Sequence, residues 1–221
     1  LSRDPGETIL RRVKLLTDYQ NAKYAERYRA LVERVHEAEK RKTPGRTELT
    51  EAVARYAYKL MAYKDEYEVA RLYTSGEFKR RLEQTFDGDY TLRFHLAPPL
   101  LAKRDENGHL IKREFGPWML RAFGLLAKFK GLRGTMFDIF GYTAERKTER
   151  QLIEDYFKTV DELIAGLDVD NHALAVEIAQ IPEHIRGFGH VKEAHLAHAR
   201  ARSNELLARW RQPAAAIRAA A

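Results

Sequence analysis

The sequence predicts a mainly α-helical fold, with about six to seven helices and a small β-ribbon around residues 90–115. Two observations support this fold class. Apolar residues recur three or four positions apart along most of the chain, as on a helix face, and only "YTLRFHLA" alternates like a strand. With 221 residues, 44% of them apolar, the chain can bury one sizeable core. We predict a single domain over residues 1–212 and a low-complexity tail over residues 213–221.

The chain begins with a predicted helical arm over about residues 5–42. Its apolar positions recur at helical spacing: Ile9, Val13, Leu16, Tyr24, Tyr28, Leu31 and Val35. This pattern predicts either one long helix or two helices joined near Gln20–Asn21.

Further helices are expected between the arm and the ribbon. Pro44 and Gly45 interrupt the chain, and Thr47 can cap a helix that continues towards Tyr73. A short helical piece is then predicted to end near Phe86.

The β-ribbon is predicted from residues that alternate between two faces. One face carries Tyr90, Leu92, Phe94 and Leu96, and the other carries Thr91, Arg93 and His95. Pro98 and Pro99 end this strand because proline cannot donate a backbone hydrogen bond. The following "DENG" resembles a hairpin turn that returns "HLIKREF" as a second strand.

The second half of the chain is predicted to be helical again. Pro117 fits the first turn of a helix whose broad apolar face should be buried on most sides. Thr143 can cap the next helix, which has the strongest amphipathic pattern, and Asp170 or Asn171 can start another. An Ala-rich helix is predicted over residues 190–211.

Composition limits the classes of function. The chain has no cysteine, so it supplies no disulfide, no thiolate ligand for an iron–sulfur cluster and no cysteine nucleophile. We find neither a signal-peptide pattern nor an apolar run near the roughly 20 residues of a membrane helix. We therefore expect a cytoplasmic protein with no membrane partner. The missing initiator methionine suggests a piece of a longer protein.

The charge distribution leaves a second class of function open. The net charge is +7, and from Arg186 to the end seven Arg and Lys residues face only two Glu residues. This end of the chain is therefore predicted to present a basic surface. This surface permits an alternative function, a basic helical module that binds nucleic acid. We favour this alternative less than a protein partner.

The stretch "IRGFGHVKE" is the best candidate for anion binding. Gly187 and Gly189 allow a close backbone approach next to a helix start, and Arg186, His190 and Lys192 supply potential positive charge. The structural alternative is that Gly187 ends one helix in a left-handed conformation. We favour the structural interpretation, because no complete phosphate-loop motif is present.

Three further arginines are candidate contacts for an anion or a partner. Arg133 lies among aromatic residues that could stack bases, although we favour a core or interface role for these aromatics. Arg146 and Arg150 lie one helical turn apart beside Glu145 and Glu149, a pattern that favours ion pairs over a metal site.

Two histidines have the spacing of metal ligands. His195 and His198 lie three positions apart on a predicted helix, yet suitable further ligands are missing, so we favour a solvated polar face. The common nucleotide-binding, hydrolase and metalloprotease motifs are absent as well. We assign no catalytic residue and no metal ligand.

Several long motifs occur in an order that resembles a known family. They are "LLTDYQNAKYAERY", "HLAPPLLA", "REFGPWM", "LRGTMFDIFGYTAER", "ERQLIEDY" and "IRGFGHVKE", which extend from about Val13 towards Leu207. In this order they resemble the C-terminal domain of indolepyruvate ferredoxin oxidoreductases. The departures are small: Ile139 stands where that family usually has proline, and the Ala-rich end is variable.

The resemblance implies a role within a larger enzyme. The family's parent enzymes decarboxylate aryl 2-oxoacids to acyl-CoA, using thiamine diphosphate, Mg²⁺, coenzyme A and 4Fe–4S clusters that pass electrons to ferredoxin. The resemblance also implies that other segments hold these cofactors, so we expect none in this chain. The implied role is that of an accessory domain, with catalytic domains or subunits of the same enzyme, ferredoxin and coenzyme A as partners.

Overall fold

The computed structural model describes residues 5–97, 111–187 and 189–212. These residues form nine α-helices and two short strands. The helices are α1 Pro5–Tyr19, α2 Ala22–Lys42, α3 Glu48–Met61, α4 Glu66–Thr74, α5 Gly76–Thr85, α6 Met119–Lys128, α7 Ala144–Gly166, α8 His172–Gln180 and α9 Gly189–Trp210. The strands are β1 Phe94–Leu96 and β2 Arg113–Phe115, and 3₁₀ turns follow α6 and α8.

The predicted fold class, mainly α with a small ribbon, is confirmed. Helices outnumber the six to seven that were expected because polar caps divide two of the predicted segments. Asn21 caps α2 by accepting from the amide of Tyr24 at 2.9 Å, so the arm is two helices. The predicted continuation of α3 towards Tyr73 is wrong, because α3 ends at Met61 and Asp65 caps α4.

The chain divides into two compact units. The first unit comprises Leu1–Ala62 and Lys147–Ala221, and the second comprises Tyr63–Arg146. The single-domain assignment stays a prediction. The predicted tail over residues 213–221 lies outside the described residues.

Helix packing and tyrosine hydroxyls together build the core of the first unit. Helix α2 packs against α1 and α3, and α8 packs against α3 and α9. Buried tyrosines donate to backbone carbonyls across these contacts, as Tyr28 does to Ala54 at 3.0 Å and Tyr156 does to Ala179 at 2.9 Å. Each hydroxyl is thereby satisfied where it leaves water.

Glu39, a buried residue near the end of α2, caps α3 from a distance. Its carboxylate accepts from the amides of Leu49 at 2.8 Å and Thr50 at 2.9 Å, and His172 Nε2 lies 2.7 Å from it. Thr47 occupies the cap position, as predicted, but its side chain makes no capping hydrogen bond. The start of α3 is therefore capped by a side chain from another helix and not by the adjacent Thr47.

The second unit encloses a smaller aromatic core. Phe94 pairs with Phe115 in the antiparallel ribbon, which is shorter than predicted, and Phe94 packs edge-on against Phe123 of α6. Helix α4 packs on α6, with Tyr73 stacked on Phe123 at a ring distance of 5.3 Å. The predicted hairpin turn "DENG" lies outside the described residues.

Helix α6 departs from its prediction in one important respect. It was expected to be buried on most sides, yet only Met119 and Phe123 are buried in it. Trp118, Leu125 and Phe129 expose 59%, 59% and 47% of their surface. The prediction was wrong because the described neighbours of this helix bury only the side that carries Met119 and Phe123.

The predicted starts of α7 and α8 are confirmed, whereas α7 is less amphipathic than α3 and α6 and does not have the strongest such pattern. Thr143 caps α7 by accepting from the amide of Arg146 at 3.3 Å, and Asn171 precedes α8. The apolar face of α7 is buried through Leu152, Ile153, Tyr156, Val160 and Leu163.

Candidate functional site

The candidate anion-binding segment lies between α8 and α9, and both of its glycines have a left-handed backbone. Gly187 has φ +87° and Gly189 has φ +55°. A Cβ atom on Gly187 would lie 2.8 Å from Cγ1 of Val191, so a larger residue would force the Val191 side chain to shift and would also be strained at this φ. The left-handed conformation predicted for Gly187 is confirmed. Phe188 lies outside the described residues, as does the side chain of His190.

Both described cations of this segment are paired with carboxylates of the chain. Arg186 Nη2 lies 3.0 Å from Glu183 Oε1, and its Nε donates to the Glu183 carbonyl at 2.9 Å. Lys192 forms an ion pair with Glu149 of α7, and these side chains are only 20% and 8% exposed. An external anion would therefore have to compete with two internal carboxylates.

Tyr56 and Lys59 of α3, which the sequence did not single out, contact the turn that precedes Arg186. Lys59 Nζ donates to the carbonyls of Pro182 at 2.6 Å and Glu183 at 3.2 Å. Burial lowers the pKa of Lys59, and the nearby Arg186 guanidinium lowers it further, whereas Glu183 opposes the shift.

Tyr56 contributes the second contact from α3, through a hydrogen bond from its hydroxyl to the Glu183 carboxylate. Burial raises the pKa of Tyr56, and this hydrogen bond raises it further. The helical spacing of Tyr56 and Lys59 was the only signal in the sequence that these side chains share a face. We name Tyr56, Lys59, Glu149, Glu183, Arg186 and Lys192 the α3–α9 charge cluster.

The basic end of the chain is neutralised in the same way. Arg202 pairs with Glu177 of α8 at 2.5 Å, and Arg211 pairs with Glu162 of α7 at 2.7 Å. Of the six described Arg and Lys residues within 186–212, four are in ion pairs. Counting charges along the sequence overstated the basic surface, because the acidic partners come from other helices.

Arg133, in the second unit, is a buried anchor. Its guanidinium contacts both carboxylate oxygens of Asp65, with Nε–Oδ2 at 2.5 Å and Nη2–Oδ1 at 2.8 Å. Both side chains are 3% exposed, and the guanidinium lies 5.5 Å from the ring centre of Tyr67. This geometry leaves Arg133 facing the interior of the unit rather than a ligand.

Asp138 holds the loop that follows Arg133. Its carboxylate accepts from the amides of Gly134 at 2.8 Å and Gly141 at 3.0 Å, and from the Tyr67 hydroxyl at 3.2 Å. Burial raises the pKa of Tyr67, and the charge of Asp138 raises it further, so this hydroxyl stays a donor. We call residues 134–142 the 134–142 loop.

Apolar side chains project from this anchored loop. Met136, Phe137, Ile139 and Tyr142 are 75%, 67%, 58% and 61% exposed. The Tyr142 hydroxyl donates to the Met136 carbonyl at 2.7 Å and so closes the loop on itself. Exposed apolar groups on a braced backbone are typical of a docking surface.

The other two candidate arginines lie on α7. Arg146 pairs with Glu66 at 3.3 Å, with side chains 12% and 17% exposed, and Arg150 is half-buried. Arg146 and Glu149 of "AERKTERQL" thus form ion pairs, as predicted, but with partners outside this stretch and in largely buried positions instead of at the surface.

One group among the described residues has the composition of a metal site. Ligand atoms of Glu39, Glu48 and His172 lie within 4.8 Å of one another. However, Glu39 already accepts from the amides of Leu49 and Thr50, and His172 faces the same carboxylate. We assign this group a structural role as the cap of α3.

A cavity of about 520 Å³ in the first unit is large enough for a small ligand. Charged side chains of both signs line it, including Arg12, Glu48, Glu51 and Arg55. This mixture selects no single class of ligand. Within the part of the chain that the structure describes, no helix has the length and apolar character needed to cross a bilayer.

Comparison with known proteins gives one family. No curated protein and no solved structure matches the chain. The profile of a family of unknown function, DUF6537, matches residues 5–205. Since this match covers most of the 221 residues, the chain belongs to the DUF6537 family.

Proposed function

We propose that this chain is a cytoplasmic accessory domain of an indolepyruvate-type ferredoxin oxidoreductase, which converts aryl 2-oxoacids to acyl-CoA. Its role is to dock on the catalytic body and assist assembly of the active enzyme. The 134–142 loop carries this proposal, because it belongs to the longest motif of the resemblance and also has the geometry of a docking surface.

The construction of the loop supports docking. Four large side chains are more than half exposed within nine residues, while Asp138 binds two amides of the same loop from inside. A surface held in place before binding loses less conformational entropy on association than a mobile one. Aromatic and methionine side chains are also enriched where proteins meet.

The parent's chemistry belongs to other segments under this proposal. Thiamine diphosphate, Mg²⁺, coenzyme A and the 4Fe–4S clusters serve the catalytic body, and the lack of cysteine in this chain agrees with that division. The α3–α9 charge cluster has a structural role, because its two described candidate cations, Arg186 and Lys192, are paired internally.

The test changes the exposed surface of the loop and leaves its anchors intact. In the full-length enzyme, Phe137→Ser with Ile139→Ser should reduce association with the catalytic body. It should also lower 2-oxoacid- and coenzyme A-dependent ferredoxin reduction at least tenfold, with thiamine diphosphate and clusters still bound. Association is measured by analytical ultracentrifugation, and cofactor content by absorbance.

The control is Leu10→Ser with Val169→Ser, which removes side chains of similar exposure, 68% and 54%, from the first unit. This control should assemble and turn over like the unchanged enzyme. Normal assembly and turnover of the loop variant would refute the docking role. If the unchanged enzyme oxidises no aryl 2-oxoacid, the whole proposal fails.

A further inference from the structure

The outward side of α6 combines apolar and positively charged side chains in one stripe. Trp118, Arg121, Leu125 and Lys128 follow one another at steps of three or four residues, and Phe129 lies four residues after Leu125, which places all five on one helix face. All five are exposed, and we call this stripe the α6 face. The opposite side of α6 packs on the core through Met119 and Phe123.

The two cations of the α6 face differ from those of the α3–α9 charge cluster. Neither Arg121 nor Lys128 forms an ion pair with any described residue. Neither α6 nor the turn Phe129–Leu132 contains an acidic residue. Positive charge at the edge of an apolar stripe is therefore left uncompensated in this part of the chain.

Trp118, at the start of the face, contacts the ribbon of the second unit. Trp118 packs edge-on against Phe115 of β2, with ring centres 6.0 Å apart, although it is 59% exposed. The amide of Met119 donates to the carbonyl of Gly116 at 3.1 Å, so a tight turn fixes where the helix begins. Tryptophan and arginine are the residues most enriched among energetically dominant contacts of protein interfaces.

We propose that the α6 face docks an acidic protein partner, whose apolar centre covers Trp118, Leu125 and Phe129 while its carboxylates meet Arg121 and Lys128. Charge complementarity selects this occupant. A second copy of the chain docked symmetrically would bring its own Arg121 and Lys128 against the same cations, which is unfavourable. The contact of Trp118 with Phe115 gives the apolar part of the face a defined shape, which favours a complementary protein surface over a lipid surface.

The inference rests on the proposed function in one respect, the choice of ferredoxin as the acidic protein to test. Binding of ferredoxin to the full-length protein is measured by isothermal titration calorimetry at low and high salt. Arg121→Glu with Lys128→Glu should raise Kd at least tenfold and remove most of its salt dependence. Trp118→Ala with Leu125→Ser should also raise Kd and leave the salt dependence in place.

The matched control is Lys64→Glu with Arg80→Glu, which makes the same change in net charge at exposed positions of the second unit. This control should bind nearly as well as the unchanged protein. The inference is overturned if ferredoxin does not bind, or if the control weakens binding as much as the α6-face variant. Binding to phosphatidylserine vesicles or to duplex DNA in place of ferredoxin, lost in the Arg121/Lys128 variant, also overturns it.

A separate measurement distinguishes this inference from the proposed function. Reduction of methyl viologen by the full-length enzyme with an aryl 2-oxoacid and coenzyme A tests the parent reaction without ferredoxin. If the dye is reduced and the α6-face variants bind ferredoxin normally, only this inference fails. If the dye is not reduced but ferredoxin binds at the α6 face, the inference stands and the proposed function fails.

Discussion

The positive charges of the α3–α9 charge cluster are paired with carboxylates, whereas those of the α6 face are not paired with any described residue. In the cluster, Arg186 is paired with Glu183 of the same turn, and Lys192 is paired with Glu149 of α7. On the α6 face, Arg121 and Lys128 form no ion pair with a described residue and lie beside exposed apolar side chains. The sequence drew attention to the first region, whereas the second is better suited to binding a partner.

The value of a charge for binding therefore depends on what already neutralises it. A cation paired in a partly buried site contributes to the fold, since any ligand must first displace its carboxylate. An unpaired cation at the surface keeps its full attraction for an external carboxylate. Paired charges should therefore affect stability, and unpaired charges should affect binding.

The largest expected effect concerns the most deeply buried pair. Asp65→Ala removes the carboxylate that Arg133 contacts in a site where both side chains are only 3% exposed. The substitution also removes the side-chain cap of α4. We expect the free energy of unfolding to fall by about 3–5 kcal/mol, because a buried charge loses its counter-charge. Urea unfolding followed by circular dichroism measures this loss.

Exposed Asp87 provides the control for this experiment. Asp87→Ala should change the unfolding midpoint little. Equal stability of the Asp65 and Asp87 variants would break the rule that buried, paired charges support the fold.

A smaller effect is expected in the turn before α9. Gly187→Ala places a side chain at φ +87° and against Val191, which should lower the free energy of unfolding by about 1–3 kcal/mol. Gly45→Ala isolates the backbone contribution, because Gly45 has φ +85° with no atom near its Cβ position. Equal losses in the free energy of unfolding, measured by urea unfolding, would mean that the close contact with Val191 contributes nothing.

The smallest effect is a pH dependence within the α3–α9 charge cluster. The pKa of Lys59 is lowered in the folded state by burial and by Arg186, so the unfolded chain binds its proton more tightly. The contribution of Lys59 to stability should therefore rise as the pH increases towards 10.5, and it should be least favourable at lower pH, where both states are protonated.

Lys59→Met is the comparison that isolates this contribution. The difference in free energy of unfolding between the unchanged protein and the variant should shift in favour of the unchanged protein from pH 7 to 10. Urea titrations at several pH values measure this difference. A difference that stays constant over this range would contradict the lowered pKa.

Local patterns were sufficient for much of the fold. The Thr143 cap and the alternation around Phe94 were predicted, and a break at Gln20–Asn21 was one of two alternatives, because each depends on side chains close in sequence. The failures involve distant partners. Thr47 was expected to cap α3, whereas the capping carboxylate belongs to Glu39 on another helix.

The candidate site was predicted less well than the fold, for the same reason. The glycine turn at 187 was identified, since left-handed backbone conformations leave a local signal. The ion partners of Arg133 and Lys192 were not identified, because Asp65 lies 68 positions and Glu149 lies 43 positions away in the sequence. No periodic pattern records such pairs.

The helical fold class, the small ribbon and the turn before α9 could be predicted from local patterns in the chain. These features follow from the spacing of apolar residues and from the backbone preferences of glycine, proline and asparagine. In contrast, the packing of the helices sets which cations are neutralised and which apolar residues stay exposed. Burial and ion pairing depend on the arrangement of several helices in space, so Arg133 became an anchor while Trp118 and Arg121 remained on the surface.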